Sequence, residues 1–331
     1  MAESLPILIG LVALALIFDY INGMHDSANA IATVVSTRVL SPKQAILMAA
    51  VLNFLGAFLS TAVAKTVGKG IVDPVLVTNA LVASALIGAI TWNLLTWFYG
   101  IPSSSSHALI GGIIGATLAA HGFGHLNHDG IWKIVKALFI SPLVGFAGGL
   151  AIMIMIMWMF HKRPAGKVNR WFKHLQLVSA SFMAISHGSN DAQKSMGIIT
   201  MALFGMHKID KFAVPSWVIL ACASAMAMGT AAGGWRIIKT MGVRMIKLTP
   251  VNGFAAETAA AITILTASQL GAPVSTTHVI SSAIMGVGSS KRASAVRWEI
   301  AGQMGIAWVL TIPASALTAF IIGWGFRLFG G

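Results

Sequence analysis

Charge is scarce in this chain. Lys, Arg, Asp and Glu make up 9% of its 331 residues, where a soluble domain carries about 25%. So thin a charged surface excludes the soluble two-domain enzyme that the length alone would permit. A single cysteine, Cys222, excludes an internal disulfide framework. The chain has no Walker loop, which speaks against nucleotide-driven transport by this chain alone, and no His-Glu-x-x-His zinc spacing. Disorder is excluded too, because it requires low hydrophobicity and high charge. What is present is 56% hydrophobic residues and a mean hydropathy of +0.82. The class that remains is an all-α polytopic membrane protein, surrounded by lipid.

The net charge of +13 does not indicate a nucleic-acid partner. The basic residues sit in short gaps between apolar runs, as membrane loops do. A helix of about 20 residues crosses the hydrocarbon, and ten such units can be laid along the chain: 5–37, 44–64, 76–98, 104–120, 136–160, 174–206, 213–234, 248–268, 276–290 and 299–326. The first and sixth exceed one crossing and hold Gly and polar residues in mid-run, so broken or re-entrant helices are expected there. With both termini outside, the inner loops hold fourteen Lys and Arg against six in the outer ones, the asymmetry of a positive inner face. A basic linker at 161–174 separates a first transmembrane repeat, 1–160, from a second, 175–331.

The two parts echo each other. Gly23-Met24-His25-Asp26-Ser27 returns as Gly188-Ser189-Asn190-Asp191-Ala192, 165 residues later. Pro102 followed by Ser103, Ser104, Ser105, Ser106 and His107 returns as Pro273, Val274, Ser275, Thr276, Thr277 and His278, 171 residues later, and Gly115 and Gly286 keep that offset. Five units per part would orient the parts oppositely. Such an inverted-topology repeat places a substrate site at the interface of the repeats, near the midplane.

Asp19, Asp26, Asp191 and Glu257 are four of nine acids, and each lies in or beside an apolar run. Intramembrane carboxylates face a protein interior or a water-filled cavity. Asp26 and Asp191, at equivalent places of the repeat, are candidates for a coupling ion or proton, with His25, Asn29 and Glu257. Asp19, present in one part alone, reads equally as a helix-packing device. Asn190, Gln193 and Lys194 accompany Asp191. Lys194 is able to hold an anion as a point charge or to balance Asp191. The hydroxyl clusters Ser104, Ser105, Ser106 and Ser275, Thr276, Thr277 follow prolines, as at helix starts. A helix that begins inside the membrane offers free N–H groups and a positive dipole end to an oxyanion. His121, His125 and His128 with Asp129 read as a solvated outer loop.

With these segments in view, the chain resembles the inorganic phosphate transporter family of the Pit type. The resemblance rests on Asn22-Gly23-Met24-His25-Asp26-Ser27-Ala28-Asn29-Ala30, on His187 with residues 188–197, and on the two proline-led clusters. It covers nearly the whole chain. It implies a symporter of the plasma (inner) membrane, often homodimeric, that is no enzyme and needs no cofactor. Its substrate would be inorganic phosphate, alone or as a metal–phosphate complex, coupled to H+ or Na+. His25 stands where sodium-coupled members carry Asn, as in proton-coupled bacterial relatives. A sulfate symporter of the same family and a passive anion channel are the rival readings.

Overall fold

Apolar length, caps and Gly-Pro breaks divide the chain into helices. The computed structural model describes residues 4–328. The first half contains α1 (Ser4–Ser36), α2 (Pro42–Gly56), α3 (Ala62–Gly70), α4 (Asn79–Tyr99), α5 (Ser105–His121) and α6 (His128–Met159). The second contains α7 (Ala165–Gly205), α8 (Ser216–Ala232), α9 (Trp235–Lys239), α10 (Pro250–Gln269), α11 (Thr276–Ser289) and α12 (Trp298–Leu328). A π turn, Thr240–Arg244, extends α9. Each helix thus has a counterpart in the other half.

The same local chemistry sets the matching boundaries. Thr78 caps α4 by accepting from the N–H of Leu81, and Thr249 caps α10 by accepting from that of Asn252. Gly100 and Gly271 end these helices at φ 68° and 69°, in the left-handed region that glycine enters without a Cβ clash. Pro102 and Pro273 follow, and then Ser104 and Ser275 cap α5 and α11. Pro142 and Pro313 sit inside α6 and α12 at the same offset of 171.

Four helices, α1, α4, α6 and α12, are long and apolar enough to cross a membrane, and α8 with α9, bent by 61°, makes a fifth candidate. Several sequence expectations change. The first and sixth units are not broken: α1 and α7 run without interruption for 33 and 41 residues. Several of their mid-run polar groups meet side chains from other helices, and the helical backbone stays closed. The breaks fall elsewhere. Unit 44–64 divides into α2 and α3, and residues 165–174 of the basic linker are the first turns of α7. The α4–α5 and α10–α11 pairs pack together as hairpins. At 17 and 14 residues, α5 and α11 are about 26 and 21 Å long, and their starting residues are buried.

The halves are interwoven, and the main crossings between helices have mirrors. α1 packs on α8 and α7 on α2; α5 packs on α12 and α11 on α6. Close approach needs glycine at these crossings. A Cβ on Gly23 would strike the Met226 carbonyl of α8, and one on Gly188 the Asn53 carbonyl of α2. Two apolar clusters result. α1 gives Leu11, Ala15 and Phe18 to one, and Ala28, Ile31 and Val34 to the other. Between them α1 is polar.

Candidate functional site

Helical spacing gathers that polar stretch onto one stripe. Asp19, Asn22, Asp26, Asn29 and Thr33 are separated by 3, 4, 3 and 4 residues, the spacing of one helix face. All five are buried. α7 presents His187, Asn190, Asp191 and Lys194 in the same way, also buried. The tips of the two hairpins lie between these helices.

The tips meet. His107 and His278, equivalent residues of the two tips, stack with ring centroids 4.4 Å apart, and Ser106 Oγ donates to the Val274 carbonyl at 3.0 Å. Trp308 covers His278 at 4.0 Å. The central arrangement expected from the sequence is therefore formed, with short helix starts from both halves side by side inside the protein. The hydroxyls of Ser104 and Ser275 accept from the N–H groups of His107 and His278, 3.2 Å away in each case. The first-turn N–H groups at Ser105, Ser106, Thr276 and Thr277 have no acceptor within their helices.

The carboxylates accept from the hydroxyls, twice within a half and once across the repeat interface. Ser105 Oγ donates to Asp26 Oδ2 at 2.5 Å, and its equivalent Thr276 Oγ1 donates to Asp191 Oδ2 at 3.1 Å. Thr277 Oγ1 crosses from the second half to Asp26 Oδ1 at 3.3 Å. Asn29 Nδ2 donates to the oxygens of Thr276 and Thr277 at 3.1 and 3.0 Å, while its own Oδ1 has no partner among the described residues.

The two aspartates differ in their counter-charges. Lys194 Nζ lies 2.5 Å from Asp191 Oδ1, so the lysine is a partner of the aspartate. Asp26 Oδ1 has His25 Nδ1 at 2.7 Å, and His25 Nε2 faces Thr96 and Ser103 at 3.1 and 3.3 Å. Asn190 is the equivalent of His25, and neither amide atom has a partner among the described residues. The reason is visible at the offset of 171. Thr96 and Ser103 are replaced by Ala267 and Val274.

His187 was not among the residues singled out from the sequence. Its Nδ1 faces Asn53 Oδ1 at 3.2 Å, and its Nε2 lies 3.2 Å from Asp191 Oδ2 without hydrogen-bond geometry. Asp26, His187 and Asp191 offer ligand atoms within 4.8 Å of one another, a set able to hold a cation. The repeat was the available signal, because His187 occupies the place of Asn22, one turn before the aspartate. Asn22, within hydrogen-bond distance of Ser105, completes the residues missed, with Thr96.

Two candidates lie apart from the tips. Gln193 Oε1 accepts from the N–H of Val63 at 2.8 Å, and its amide donates to Ser189 and Ser268. Its hydrogen bonds thus serve the start of α3. Glu257 accepts from Thr33 at 2.5 Å, Gln176 at 2.9 Å and Ser179. Thr33 is two turns from Asp26, about 10 Å along α1. The histidines at and just after the end of α5 bond to the backbone, His121 to the Leu76 carbonyl at 2.7 Å and His125 to that of His121 at 2.9 Å.

The comparisons with known proteins agree with one another. The model of the Phosphate transporter family matches residues 22–319. A "Probable low-affinity inorganic phosphate transporter" of Rhizobium meliloti (strain 1021) is 51% identical over 316 residues, 95% of each chain. One of the same description from Bacillus subtilis (strain 168) is also 51% identical, over 94% of each chain. Among solved structures, "The sodium-dependent phosphate transporter" superposes with a TM-score of 0.87 at 26% identity, covering 98% of this chain and 100% of the other.

Proposed function

Because the chain belongs to the phosphate transporter family, we propose that it carries inorganic phosphate by secondary symport across the plasma membrane, with both termini outside. The observation that supports this reading best is the meeting of two helix starts from opposite halves, with hydroxyls already shared with two buried carboxylates. Phosphate would lie against the free N–H groups of residues 105, 106, 276 and 277, near the positive ends of α5 and α11. Dianionic phosphate beside two carboxylates that share one lysine is repelled, so the anion needs a cation with it.

The hydroxyls link the two ions. Thr276 and Thr277 each have one proton to donate, and in this arrangement a carboxylate receives it; Ser105 has one proton for two acceptors within reach, Asp26 and Asn22. A cation held by Asp26, Asp191 and His187 would occupy those carboxylate oxygens. The hydroxyl protons would then turn to the phosphate oxygens. Each ion improves the site for the other, which is positive coupling between two bound species. H+ and Na+ are the candidate cations, and a metal–phosphate complex would bring its own cation to the same carboxylates. The sodium dependence of the structural neighbour favours Na+, whereas His25 beside Asp26 favours a proton.

Uptake of labelled phosphate into proteoliposomes, driven by sodium or proton gradients imposed one at a time, tests the reading. Accumulation above equilibrium under at least one gradient is expected. Gradient-independent equilibration would convert the protein to a channel, and equal competition by sulfate would widen the substrate.

A further inference from the structure

Asp19 has no place in the cycle just described. It lies two turns before Asp26 on the α1 stripe and is fully buried, and neither carboxylate oxygen has a hydrogen-bond partner among the described residues. The other buried carboxylates differ. Asp26 and Asp191 are bonded to hydroxyls and basic groups, and Glu257 receives three donors.

The surroundings of Asp19 hold no compensating charge of their own. Asn22 on α1, Ser195 on α7 and Cys222 on α8 face it. The hydroxyl of Ser195 is likewise buried without a partner. Asp191 and Lys194 are the charged groups that act on Asp19 from α7, and Lys194 is already paired with Asp191. Of the titratable groups on the packed neighbours, α4 has Tyr99 at its far end, α5 has His107 at the hairpin tip, and α2 has Lys43 in its first turn. One lysine therefore stands against three carboxylates in this part of the protein. An ionised, unpaired Asp19 would be strongly destabilised there, and a protonated one would not.

Asp19 is also connected to the centre. Asn22 Oδ1, one turn on, and Asp26 Oδ2 both lie within hydrogen-bond distance of the Ser105 hydroxyl, which has one proton for the two. A change of charge at Asp19 is thus two side chains from the carboxylate that holds the cradle hydroxyls.

We propose that Asp19 is a proton-binding site of the transport cycle, separate from the cation and anion positions at the hairpin tips. The Asp19 carboxylate takes a proton from water on one side of the membrane, carries it as the neutral acid in the occluded arrangement recorded here, and releases it to water on the other side. It is a proton acceptor at the N-terminal end of the α1 stripe, as Glu257 closes the opposite end. This rests on the symport reading above, and the test separates the two.

Wild type, Asp19→Asn and Asp19→Glu are reconstituted in liposomes. Phosphate counterflow at equal pH reports the anion site without net proton movement, and accumulation under an inward proton gradient reports coupling. Asp19→Asn, a neutral isostere, is expected to keep counterflow within about threefold of wild type while proton-driven accumulation falls by roughly tenfold or more. Asp19→Glu is expected to keep both with a displaced pH profile. Proton-driven accumulation by Asp19→Asn at the wild-type level overturns the proposal. So does accumulation in wild type that responds to sodium and not to pH. Failure of wild-type counterflow overturns the symport reading instead. If Asp19→Asn is inactive in both assays, infrared spectra of wild type and Asp19→Glu decide. A protonated-carboxyl stretch that moves between them supports the proposal, and its absence in both overturns it.

Discussion

The two halves share a backbone plan and differ in charge. In the second, Asp191 holds a permanent cation, Lys194, at 2.5 Å. In the first, the position equivalent to Lys194 is Asn29, and Asp26 has hydroxyls and an imidazole instead. A fixed ammonium occupies one oxygen of Asp191 and leaves the other for the cation set. Asp26 has no such permanent cation. Symmetry of the fold thus supplies two opposed helix starts for an anion, while asymmetry of the side chains leaves Asp26 the carboxylate more open to a travelling cation.

The comparison is broken most completely at Asp26. Asp26→Asn removes the exchangeable acceptor and leaves Ser105 and Thr277 without a carboxylate to donate to. Coupled uptake in proteoliposomes should fall by about 100-fold or more, with normal insertion and normal size-exclusion behaviour. Wild-type uptake in that variant would remove Asp26 from the site.

Lys194→Gln attacks the other side. It leaves Asp191 buried without its ammonium, and breaking such a pair costs about 3–5 kcal/mol. The variant should unfold at a markedly lower temperature in detergent, and thermal shift of the purified protein checks this. The double change Asn29→Lys with Lys194→Asn moves the ammonium to the first half. It should recover much of the lost stability and fail to restore coupled uptake, because the fixed charge then sits where the travelling one belongs. Equal recovery of both would show that the position of the ammonium is immaterial.

Much of this site was legible in the sequence because the repeat marks it twice. Two matched prolines, two hydroxyl clusters and two aspartates at offsets of 165 and 171 point to helix starts at the interface. Four things were not legible. Gln193 lies within the signature, yet its amide is spent on the start of α3, a short helix too weakly apolar to announce itself. Glu257 belongs to a separate hydroxyl and amide network, because its partners Thr33, Gln176 and Ser179 come from distant segments. The continuity of α1 and α7 was hidden by their own polar residues, which read as breaks until their cross-helix partners are known. Asn190 resembled a ligand by position, and its lack of partners depends on Ala267 and Val274, two residues with no signal of their own.

The crossings between halves give a smaller effect that tests the fold's symmetry apart from its charge. A Cβ on Gly23 meets the Met226 carbonyl, and one on Gly188 meets that of Asn53. Backbone cannot rotate away as a side chain does, so each alanine must spread its helix pair. Overpacking of this kind costs about 1–3 kcal/mol. Gly23→Ala and Gly188→Ala should therefore destabilise by similar amounts, read as matched decreases in thermal stability. The consequences for transport should not match. Gly188→Ala pushes on α2, whose Asn53 holds His187, and so disturbs the Asp26–His187–Asp191 set directly. Gly23→Ala pushes on α8, which contributes no ligand atom to that set. Equal loss of uptake in the two variants would mean that helix spacing, and not the placing of His187, governs the cation site.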